Sequence, residues 1–400
     1  MDQVKLKFLC SSYSTPLTQD QIQGEGRYRV YGASGLAGFL PESGCETDFL
    51  GIIKDGAGVG RINVYEAGSY LLGTMAYIVP HAGVNINWLK YAVMSLDLSK
   101  SISKTTIPHI YFSEYGNRKV SLCSFETQTR IAAFLDRKCA EIDTVIANTQ
   151  QTLEEYRALR KAIITKAITK GVRGDRAMKN SGVEWIGQMP ADWDLIPFRH
   201  VLRERQEKNS PIKSTERLSL SIELGVTLYA DKTTNLDRFK DDFEQYKLAH
   251  PGDLVMNSMN MIVGASGVSD YFGCVSPVYY TFYDELEDHT TAKFCEYIFR
   301  SKTMLRFLFS LGKGIYAIVR GDDRVNTCRL KVSKEDLKSI AIPLPSVEEQ
   351  REIISYLQKK CAEIDKLIAD KIHLLEEMES YKKSVIYEDV TGKKEVPACQ

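Results

Sequence analysis

Several common sequence features are missing from this chain of 400 residues, and each absence narrows the class of protein. No apolar run reaches the roughly 18 residues that cross a bilayer, and the apolar patch in MDQVKLKFLC at the N-terminus is too short for a signal peptide. The nine cysteines are odd in number and include no C-x-x-C pair, which is typical of the reducing cytoplasm rather than of a disulfide framework. We therefore expect a cytoplasmic protein without a membrane-spanning segment.

Signatures of catalysis are missing too. No G-x-x-x-x-G-K-[ST] phosphate loop occurs, and the six histidines show no metal-ligand spacing with the cysteines. The glycines of DGAGVGRINV (55–64) resemble a nucleotide loop, but the segment continues as a strand, so we interpret it as a turn between strands. SPVYY (276–280) resembles the (N/D/S)PPY motif of amino-methyltransferases without its second proline. We predict a non-catalytic chain with no metal and no cofactor of its own.

Proline and glycine are absent from residues 124–170 and 346–391, and these two segments repeat each other. The hexapeptide KCAEID occurs at 138–143 and at 360–365, with an offset of 222 residues. At that offset, twelve of 23 positions are identical between 124–146 and 346–368. One large repeat of this kind is unlike a short-period solenoid and indicates two units of roughly 200 residues.

Each repeated segment places apolar residues at alternating spacings of four and three, the pattern of a coiled-coil seam. A helix of about 45 residues extends roughly 65–70 Å. Polar residues interrupt both seams at the same heptad places, Thr149 with Lys371 and Arg160 with Lys382. This match favours two exposed antiparallel helices that lie against each other. It argues against two separate helices buried in a core. The predicted seam residues are Leu135, Cys139, Ile142, Ile146, Leu153, Tyr156, Ile163, Leu357, Cys361, Ile364, Ile368, Leu375, Met378 and Val385.

The segments before the helices have a different composition. Residues 1–121 and 181–341 are rich in glycine, aromatic and β-branched residues between turn signals, and we predict mixed α/β domains with many short strands. The two do not align convincingly with each other. The predicted fold is therefore α+β, with two globular heads and two long antiparallel coiled-coil helices in a pseudo-two-fold internal repeat. Its predicted segments are a first head at 1–121, a long helix at 122–170, a linker at 171–180, a second head at 181–341, a second long helix at 342–392 and a tail at 393–400.

The formal net charge is zero, so a surface that binds nucleic acid must be a local basic patch. Residues 157–179 contain eight basic side chains and one acid, Asp175. Either phosphate contact or a solvated helix end explains them. Polar loops in both heads could contact base edges, although turn and packing roles fit these loops equally well. The candidate DNA-binding residues are Tyr31, Ser34, Lys104, Thr105, His109, Lys161, Lys170, Arg173, Arg176, Asn257, Asn260, Lys313, Tyr316, Arg320 and Arg324.

Four motifs resemble those of one family, the specificity (S) subunits of type I restriction–modification systems. IPLPSVEEQREIISYLQKKCAEIDKLI (342–368) is similar to the start of the family's long helix. SGVEWIGQMPADWDLIPFRHVL (181–202) resembles the beginning of its target-recognition domain, and VYGASGLAGF (30–39) and PGDLVMNSMN (251–260) resemble the cores of such domains. The resemblance covers essentially the whole chain in the order head, helix, head, helix. The first head departs from the pattern, because it starts with MDQVKLKFLC in place of a segment such as EWIGQMPADW.

This resemblance implies a DNA-recognition subunit whose heads are target-recognition domains, each for one half of a bipartite asymmetric DNA site. The helices are implied to set the spacer and to dock two methyltransferase subunits, with restriction (translocase) subunits joining for cleavage. S-adenosylmethionine, ATP and Mg²⁺ are then expected on the partner subunits. Two alternatives stay open at this point: a coiled-coil adaptor without DNA recognition, and a self-contained DNA methyltransferase.

Overall fold

The computed structural model describes residues 2–22, 26–103, 107–232, 242–315, 318–319, 325–326 and 329–395. The chain divides into two compact units. Unit 1 comprises Met1–Thr152 and Lys371–Gln400, and unit 2 comprises Leu153–Asp370. Each unit therefore contains one head and a part of each long helix. Within the described ranges, no helix is long and apolar enough to cross a membrane.

The described residues of the first head form nine strands and two helices before the first long helix begins. The strands are β1 (Asp2–Lys5), β2 (Cys10–Tyr13), β3 (Tyr28–Gly32), β4 (Gly35–Leu40), β5 (Phe49–Ile53), β6 (Ile62–Tyr65), β7 (Tyr70–Leu71), β8 (Met75–Pro80) and β9 (Lys119–Leu122). The helices are α1 (Ile86–Met94), α2 (Phe112–Tyr115) and the long α3 (Phe125–Lys170), with 3₁₀ turns at Leu6–Phe8, Gln19–Gln21 and Leu98–Ser101. The main antiparallel sheet has the order β2-β8-β5-β6, a smaller sheet has the order β4-β3-β7, and β1 pairs with β9.

The second head follows α3 and has more and shorter elements. Its strands are β10 (Met178–Asn180), β11 (Gln188–Pro190), β12 (Asp194–Pro197), β13 (Arg203–Glu204), β14 (Leu218–Ser221), β15 (Gly225–Leu228), β16 (Lys247–Ala249), β17 (Leu254–Asn257), β18 (Ser266–Val268), β19 (Gly273–Val275), β20 (Tyr279–Tyr283), β21 (Lys313–Ile315), β22 (Ile318–Val319), β23 (Val325–Asn326), β24 (Arg329–Lys331) and β25 (Ala341–Leu344). Its helices are α4 (Tyr229–Lys232), α5 (Thr290–Phe299), α6 (Lys302–Leu311), α7 (Lys334–Ser339) and the long α8 (Val347–Thr391), with 3₁₀ turns at Phe198–His200, Phe243–Gln245 and Met261–Val263. The main sheet has the order β13-β20-β17-β18, and the pairs are β10-β11, β12-β25, β14-β15, β16-β19, β21-β24 and β22-β23.

The two heads share a strand frame that their sequences do not reveal. The order β2-β8-β5-β6 followed by α1 has the same connectivity as β13-β20-β17-β18 followed by α5. In the flanking pairs, Asp2 lies opposite Leu122 and Asp194 lies opposite Leu344, and the two leucines are separated by the repeat offset of 222. The repeat therefore extends into the last strand of each head. The expected difference between the heads is confined to their sequences and to the elements inserted into this frame.

The long helices begin at Phe125 and Val347, within the predicted segments that start at 122 and 342. The residues just before them form β9 and β25, and in the second case the prolines at 343 and 345 have no N–H for a helix. Ser124 and Ser346 cap the two helices, since their hydroxyls accept hydrogen bonds of 3.3 Å from the backbone N–H groups of Thr127 and Glu349.

Each long helix ends just before a glycine. α3 ends at Lys170 and α8 at Thr391, and the following residues Gly171 and Gly392 adopt φ values of 73° and 71°. A glycine in this left-handed conformation is the usual C-terminal cap of a helix, because the missing Cβ removes the steric penalty.

Each head core continues onto both long helices. In unit 1, Trp88 and Leu50 share a buried cluster with Leu135 of α3 and Ile386 of α8. In unit 2, the corresponding cluster joins head residues to the end of α3 and the start of α8, through Ala167, Ile168, Ile353, Ile354 and Leu357. The start of α3 thus packs with the end of α8 in unit 1, and the reverse holds in unit 2. The helices run antiparallel in each unit, as predicted.

The predicted seam residues lie on the inner face of the helices. The buried ones are Leu135, Cys139, Ile142, Leu153, Leu357, Cys361, Ile364 and Val385, and the half-buried ones are Ile146, Tyr156, Ile163, Ile368, Leu375 and Met378.

Two of the polar residues that interrupt the seam, Arg160 and Lys382, form equivalent ion pairs with the opposite helix. In unit 1, Lys382 Nζ lies 2.6 Å from Asp143 Oδ1, and in unit 2, Arg160 Nε lies 2.8 Å from Asp365 Oδ1. Both partners of one pair are offset by 222 residues from those of the other. Such partly exposed pairs add little stability, but matched charges select the register of facing helices. The final aspartate of each KCAEID therefore pairs with the basic residue of the opposite helix.

Candidate nucleic-acid interface

Three candidate residues of the first head lie at the end of its small sheet and beside its glycine turn. Tyr31, on β3, packs its ring against Tyr65 with centroids 4.6 Å apart. Ser34 is exposed in the turn between β3 and β4. His109 holds its Nδ1 atom 2.6 Å from Oδ1 of Asp55. Lys104 and Thr105 lie outside the residues that the structure describes.

Asp55 also binds Lys54, whose Nζ lies 2.6 Å from Oδ2. Burial of this carboxyl acts to raise its pKa, but the hydrogen bonds from Lys54 and His109 outweigh burial and leave the pKa below its ordinary value. His109 is thus already held by a carboxylate, a geometry that favours a positioning role for its ring over direct contact with a base.

The glycines at 56, 58 and 60 form the predicted turn, which connects β5 to β6. No helix follows the turn, so it lacks the geometry of a phosphate-binding loop. Within the described part of the chain, no group of His, Cys, Asp and Glu residues is arranged to hold a metal ion.

Three candidates of the second head are described, two near the end of β17 and one at the start of β21. Asn257 closes β17, and its Oδ1 accepts a hydrogen bond of 3.0 Å from the N–H of Met259. Asn260 is exposed and precedes the 3₁₀ turn at 261–263. Lys313 Nζ lies 3.2 Å from Asp336. The remaining candidates, Tyr316, Arg320 and Arg324, fall outside the described ranges.

Two candidate arginines, Arg173 and Arg176, lie in the segment between α3 and the second head, and both form ion pairs with residues at the start of α8. Arg173 donates two hydrogen bonds to Glu352, of 2.8 and 2.7 Å, and Arg176 binds both Glu349 and Asp192. These hydrogen bonds raise the pKa of each guanidinium and lower the pKa values of Glu352 and Asp192. Their proposed phosphate contacts stay a prediction, but both side chains already have carboxylate partners within unit 2.

The two candidate lysines near the end of α3 have different surroundings from these arginines. Lys161 and Lys170 are exposed on α3 and line an open groove of about 580 Å³ whose other wall is the first turns of α6. Every residue of this groove belongs to unit 2. We call it the α3–α6 groove; its lining residues are Glu154, Arg157, Ala158, Lys161, Ala162, Thr165, Lys166, Thr169, Lys170, Lys302, Thr303 and Arg306.

Lys302 and Arg306 are the residues that our sequence reasoning missed. They are four positions apart on α6 and exposed, whereas Met304 and Leu308 of the same helix are buried. An i, i+4 pair of basic residues on the polar face of an amphipathic helix is the signal that could have identified them.

The long helices also expose apolar side chains at repeated positions. Val145 and Leu367 are each 43% exposed, and Leu159 and Tyr381 are 47% and 46% exposed. The members of each pair are separated by the repeat offset of 222. Val145 and Tyr381 belong to unit 1, and Leu159 and Leu367 belong to unit 2. We call Val145 with Tyr381 the apolar flank of unit 1, and Leu159 with Leu367 the apolar flank of unit 2.

Sequence comparisons identify relatives of one kind. A family model described as the type I restriction modification DNA specificity domain matches residues 263–377. The MjaVIII type I restriction enzyme specificity subunit of Methanocaldococcus jannaschii is 25% identical over 369 residues, which cover 87% of this chain and 79% of that protein. The putative MjaX specificity subunit of the same organism is 24% identical over 323 residues, covering 77% of this chain and 64% of that protein.

Solved structures extend the similarity to the whole fold. A structure that describes complex assembly and conformational transition of the type I R-M system matches with a TM-score of 0.66 at 14% identity, over 98% of both chains. The HsdS subunit of Thermoanaerobacter tengcongensis matches with a TM-score of 0.50 at 14% identity, over 98% of this chain and 97% of that one. At this identity the match concerns the fold, and that fold is the predicted α+β arrangement of heads and long helices.

The sequence relatives are specificity subunits, and the matching family model is a DNA specificity domain rather than a catalytic one. The structural neighbours have the same arrangement of heads and helices. Together with the 222-residue repeat, these findings show that the chain is similar, in sequence and in fold, to the non-catalytic specificity subunits of type I restriction–modification systems.

Proposed function

We propose that each head of this chain recognises one half of a bipartite, asymmetric DNA site. The observation that carries this proposal is the common strand frame of the heads, β2-β8-β5-β6 and β13-β20-β17-β18, into which different elements are inserted. The first head inserts the sheet β4-β3-β7, and the second inserts β14-β15, β16-β19 and the segment from α6 to β24. A common frame supports a common mode of approach to DNA, while unlike inserts support contacts to unlike bases.

The long helices are proposed to set the spacer between the half-sites and to dock two methyltransferase subunits. The apolar flanks support the second role, because both copies of the repeat expose apolar side chains at the same positions. Apolar side chains exposed at equivalent positions in both copies of the repeat fit equivalent contacts with two copies of one partner. Restriction subunits would join this complex. The methyl donor S-adenosylmethionine, and ATP with Mg²⁺, would then be bound by the partners.

A map of methylated bases tests the recognition proposal. DNA from cells that express this chain with the methyltransferase subunit of its own system is expected to carry methyl groups in a two-part motif with a fixed nonspecific gap. Cells with the methyltransferase subunit alone serve as the control and should show no such motif. Methylation without this chain, or a stable complex that methylates no motif, would refute DNA recognition and leave the coiled-coil adaptor as the better explanation.

Two alterations separate the roles of the heads from those of the helices. Replacing residues 181–341 with the head of another specificity subunit should change one half of the motif and leave the other half and the spacer intact. Lengthening both helices by one heptad, about 10 Å of helix, should change the spacer and leave both half-sites intact. The same methylation map measures both results. An altered half-site with an unchanged spacer in the lengthened variant would contradict the spacer role.

A further inference from the structure

The α3–α6 groove of unit 2 has many more basic than acidic residues in its lining. Six of its lining residues are basic, and Glu154 is the single acid. Arg157 pairs with Glu154 at 2.6 Å. Within the described part of the chain, the other five have no ion-pair partner: Lys161, Lys166, Lys170, Lys302 and Arg306.

Arg300, just before α6, is an arginine with a structural role and can be compared with the basic residues of the groove. Its guanidinium donates to the backbone oxygens of Ile222 and Glu223 at 2.7 and 2.9 Å and to the carboxylate of Glu296 at 3.1 Å. These bonds fix the adjoining loop. Lys302 and Arg306 make no comparable bonds among the described residues and are exposed, so maintaining the fold does not explain their charges.

We propose that the α3–α6 groove binds the sugar–phosphate backbone of DNA, with Lys302 and Arg306 on one side of a phosphodiester strand and Lys161, Lys166 and Lys170 on the other. This inference rests on the proposed function and adds to it a contact that carries no sequence information. Cations in a groove bind phosphates regardless of base, and such contacts fix the position of a recognition protein on its duplex.

The dimensions and lining of the groove fit a phosphodiester strand. From Arg157 to Lys170, α3 rises about 20 Å, which corresponds to roughly six base-pair steps. Between the cations the α3 wall presents small or hydroxyl side chains, Ala158, Ala162 and Thr165, which leave room for sugars and offer hydrogen-bond donors. The first turn of α6 also contributes the positive end of a helix dipole.

These same features argue against an acidic protein segment as the occupant. The centre of a protein–protein interface usually contains large apolar or aromatic anchors, and the α3–α6 groove has small side chains at that place. DNA is therefore the ligand that the groove fits best.

The double variant Lys302→Gln/Arg306→Gln tests this inference in the full-length chain assembled with its methyltransferase subunit. Dissociation constants are measured between 50 and 300 mM salt, for a duplex that contains the methylation motif and for one that does not. Removing two phosphate contacts should reduce the slope of log K against log salt by about 1.8 and weaken binding roughly 60-fold at 0.1 M salt. Both duplexes should lose affinity equally, and the motif should not change.

The control variant Lys5→Gln/Lys119→Gln removes the same charge from exposed lysines that lie opposite each other in β1 and β9 of unit 1. It should leave the salt slope within about 0.3 of the wild-type value, because these two lysines lie outside the α3–α6 groove and their loss removes none of the proposed phosphate contacts. Hydrogen exchange over α6 verifies that the groove variant is folded.

An unchanged salt slope in the groove variant, or an equal decrease in the control, would overturn the phosphate assignment. Failure of the groove variant to assemble with the methyltransferase subunit, with the salt slope unchanged, would assign the groove to a protein partner instead. The wild-type chain decides the proposed function separately. If it yields no bipartite motif, the proposal of DNA recognition is refuted. The salt slopes measured on the nonspecific duplex still test whether the groove binds phosphates.

Discussion

Replacing Glu349 with alanine is expected to lower the free energy of unfolding of unit 2 by about 2–3 kcal/mol, because the change removes the buried counter-charge of Arg176 and leaves that guanidinium with the exposed carboxylate of Asp192 alone. The side chain of Glu349 is 2% exposed and that of its partner Arg176 is 14% exposed. The same carboxylate accepts a hydrogen bond of 3.0 Å from the buried indole of Trp193. Losing that acceptor adds the desolvation cost of an unpaired N–H group.

Urea unfolding of the full-length chain, with hydrogen exchange resolved over residues 171–193, measures this loss and locates it. Glu348→Ala is the matched control, since Glu348 is the exposed neighbour on the same helix turn and its removal should change stability by no more than about 0.5 kcal/mol. Glu349→Gln should lie between the two, because the amide oxygen can still accept from Trp193. Equal losses for Glu348→Ala and Glu349→Ala would contradict the anchoring role.

A second comparison separates the loss of the pair from the value of the pair. Arg176→Met/Glu349→Leu removes both charges and supplies apolar volume, and such replacements of buried pairs are often neutral. We expect the double variant to recover at least half of the stability that Glu349→Ala loses. A double variant as unstable as Glu349→Ala would show that packing and hydrogen bonding around Trp193, rather than the loss of the buried counter-charge of Arg176, determine the loss of stability.

The pairing of Arg176 with Glu349 also shows what composition alone could not reveal. The basic stretch at 157–179 suggested phosphate contacts, yet its partners lie 173 and 179 positions away, for Arg176–Glu349 and Arg173–Glu352. The two arginines and the two glutamates are each three residues apart, and this complementary spacing was the available signal. No local pattern connects segments so distant in sequence, because their contact depends on how the second head returns its chain to the start of α8.

The helices were predictable residue by residue, whereas the heads were predictable only as mixed α/β domains with short strands, for one physical reason. A long helix depends on contacts three and four residues apart, so the seam from Leu135 onward and the absence of proline and glycine specify it locally. The frame of the heads depends on pairs such as Cys10 with Pro80 and Arg203 with Tyr283. Strands as short as β13, with two residues, carry too little periodicity to reveal their partners.

The α6 wall of the groove, with Lys302 and Arg306, was missed for the same reason, whereas Lys161 and Lys170 on the α3 wall were already candidates. Lys161 and Lys302 are ordinary exposed lysines in the sequence, separated by more than a hundred positions. Only the packing of α6 within unit 2 brings the two onto opposite walls of one groove.

If the apolar flanks dock the two methyltransferase subunits proposed above, the double variant Val145→Lys/Tyr381→Lys should reduce the number bound per chain from two to one. The ion pair between Lys382 and Asp143 holds these segments of α8 and α3 together in unit 1. Two lysines in the apolar flank of unit 1 would place unpaired charges in the proposed interface, at a cost of several kcal/mol. Leu159→Lys/Leu367→Lys should do the same in unit 2, and combining all four changes should leave no subunit bound.

Mass measurement of the complex without DNA counts the subunits directly and excludes effects of the added charge on DNA binding. Ala147→Lys and Ala369→Lys are the matched controls, because these alanines are also exposed and related by the 222-residue offset, but lie on the other side of the seam, two positions after Val145 and Leu367. They should leave two subunits bound. If either flank variant alone released both subunits, the two units would not dock their partners independently. If the alanine controls released them as well, any added charge on the helices would be sufficient, and the apolar flanks would not be the docking surfaces.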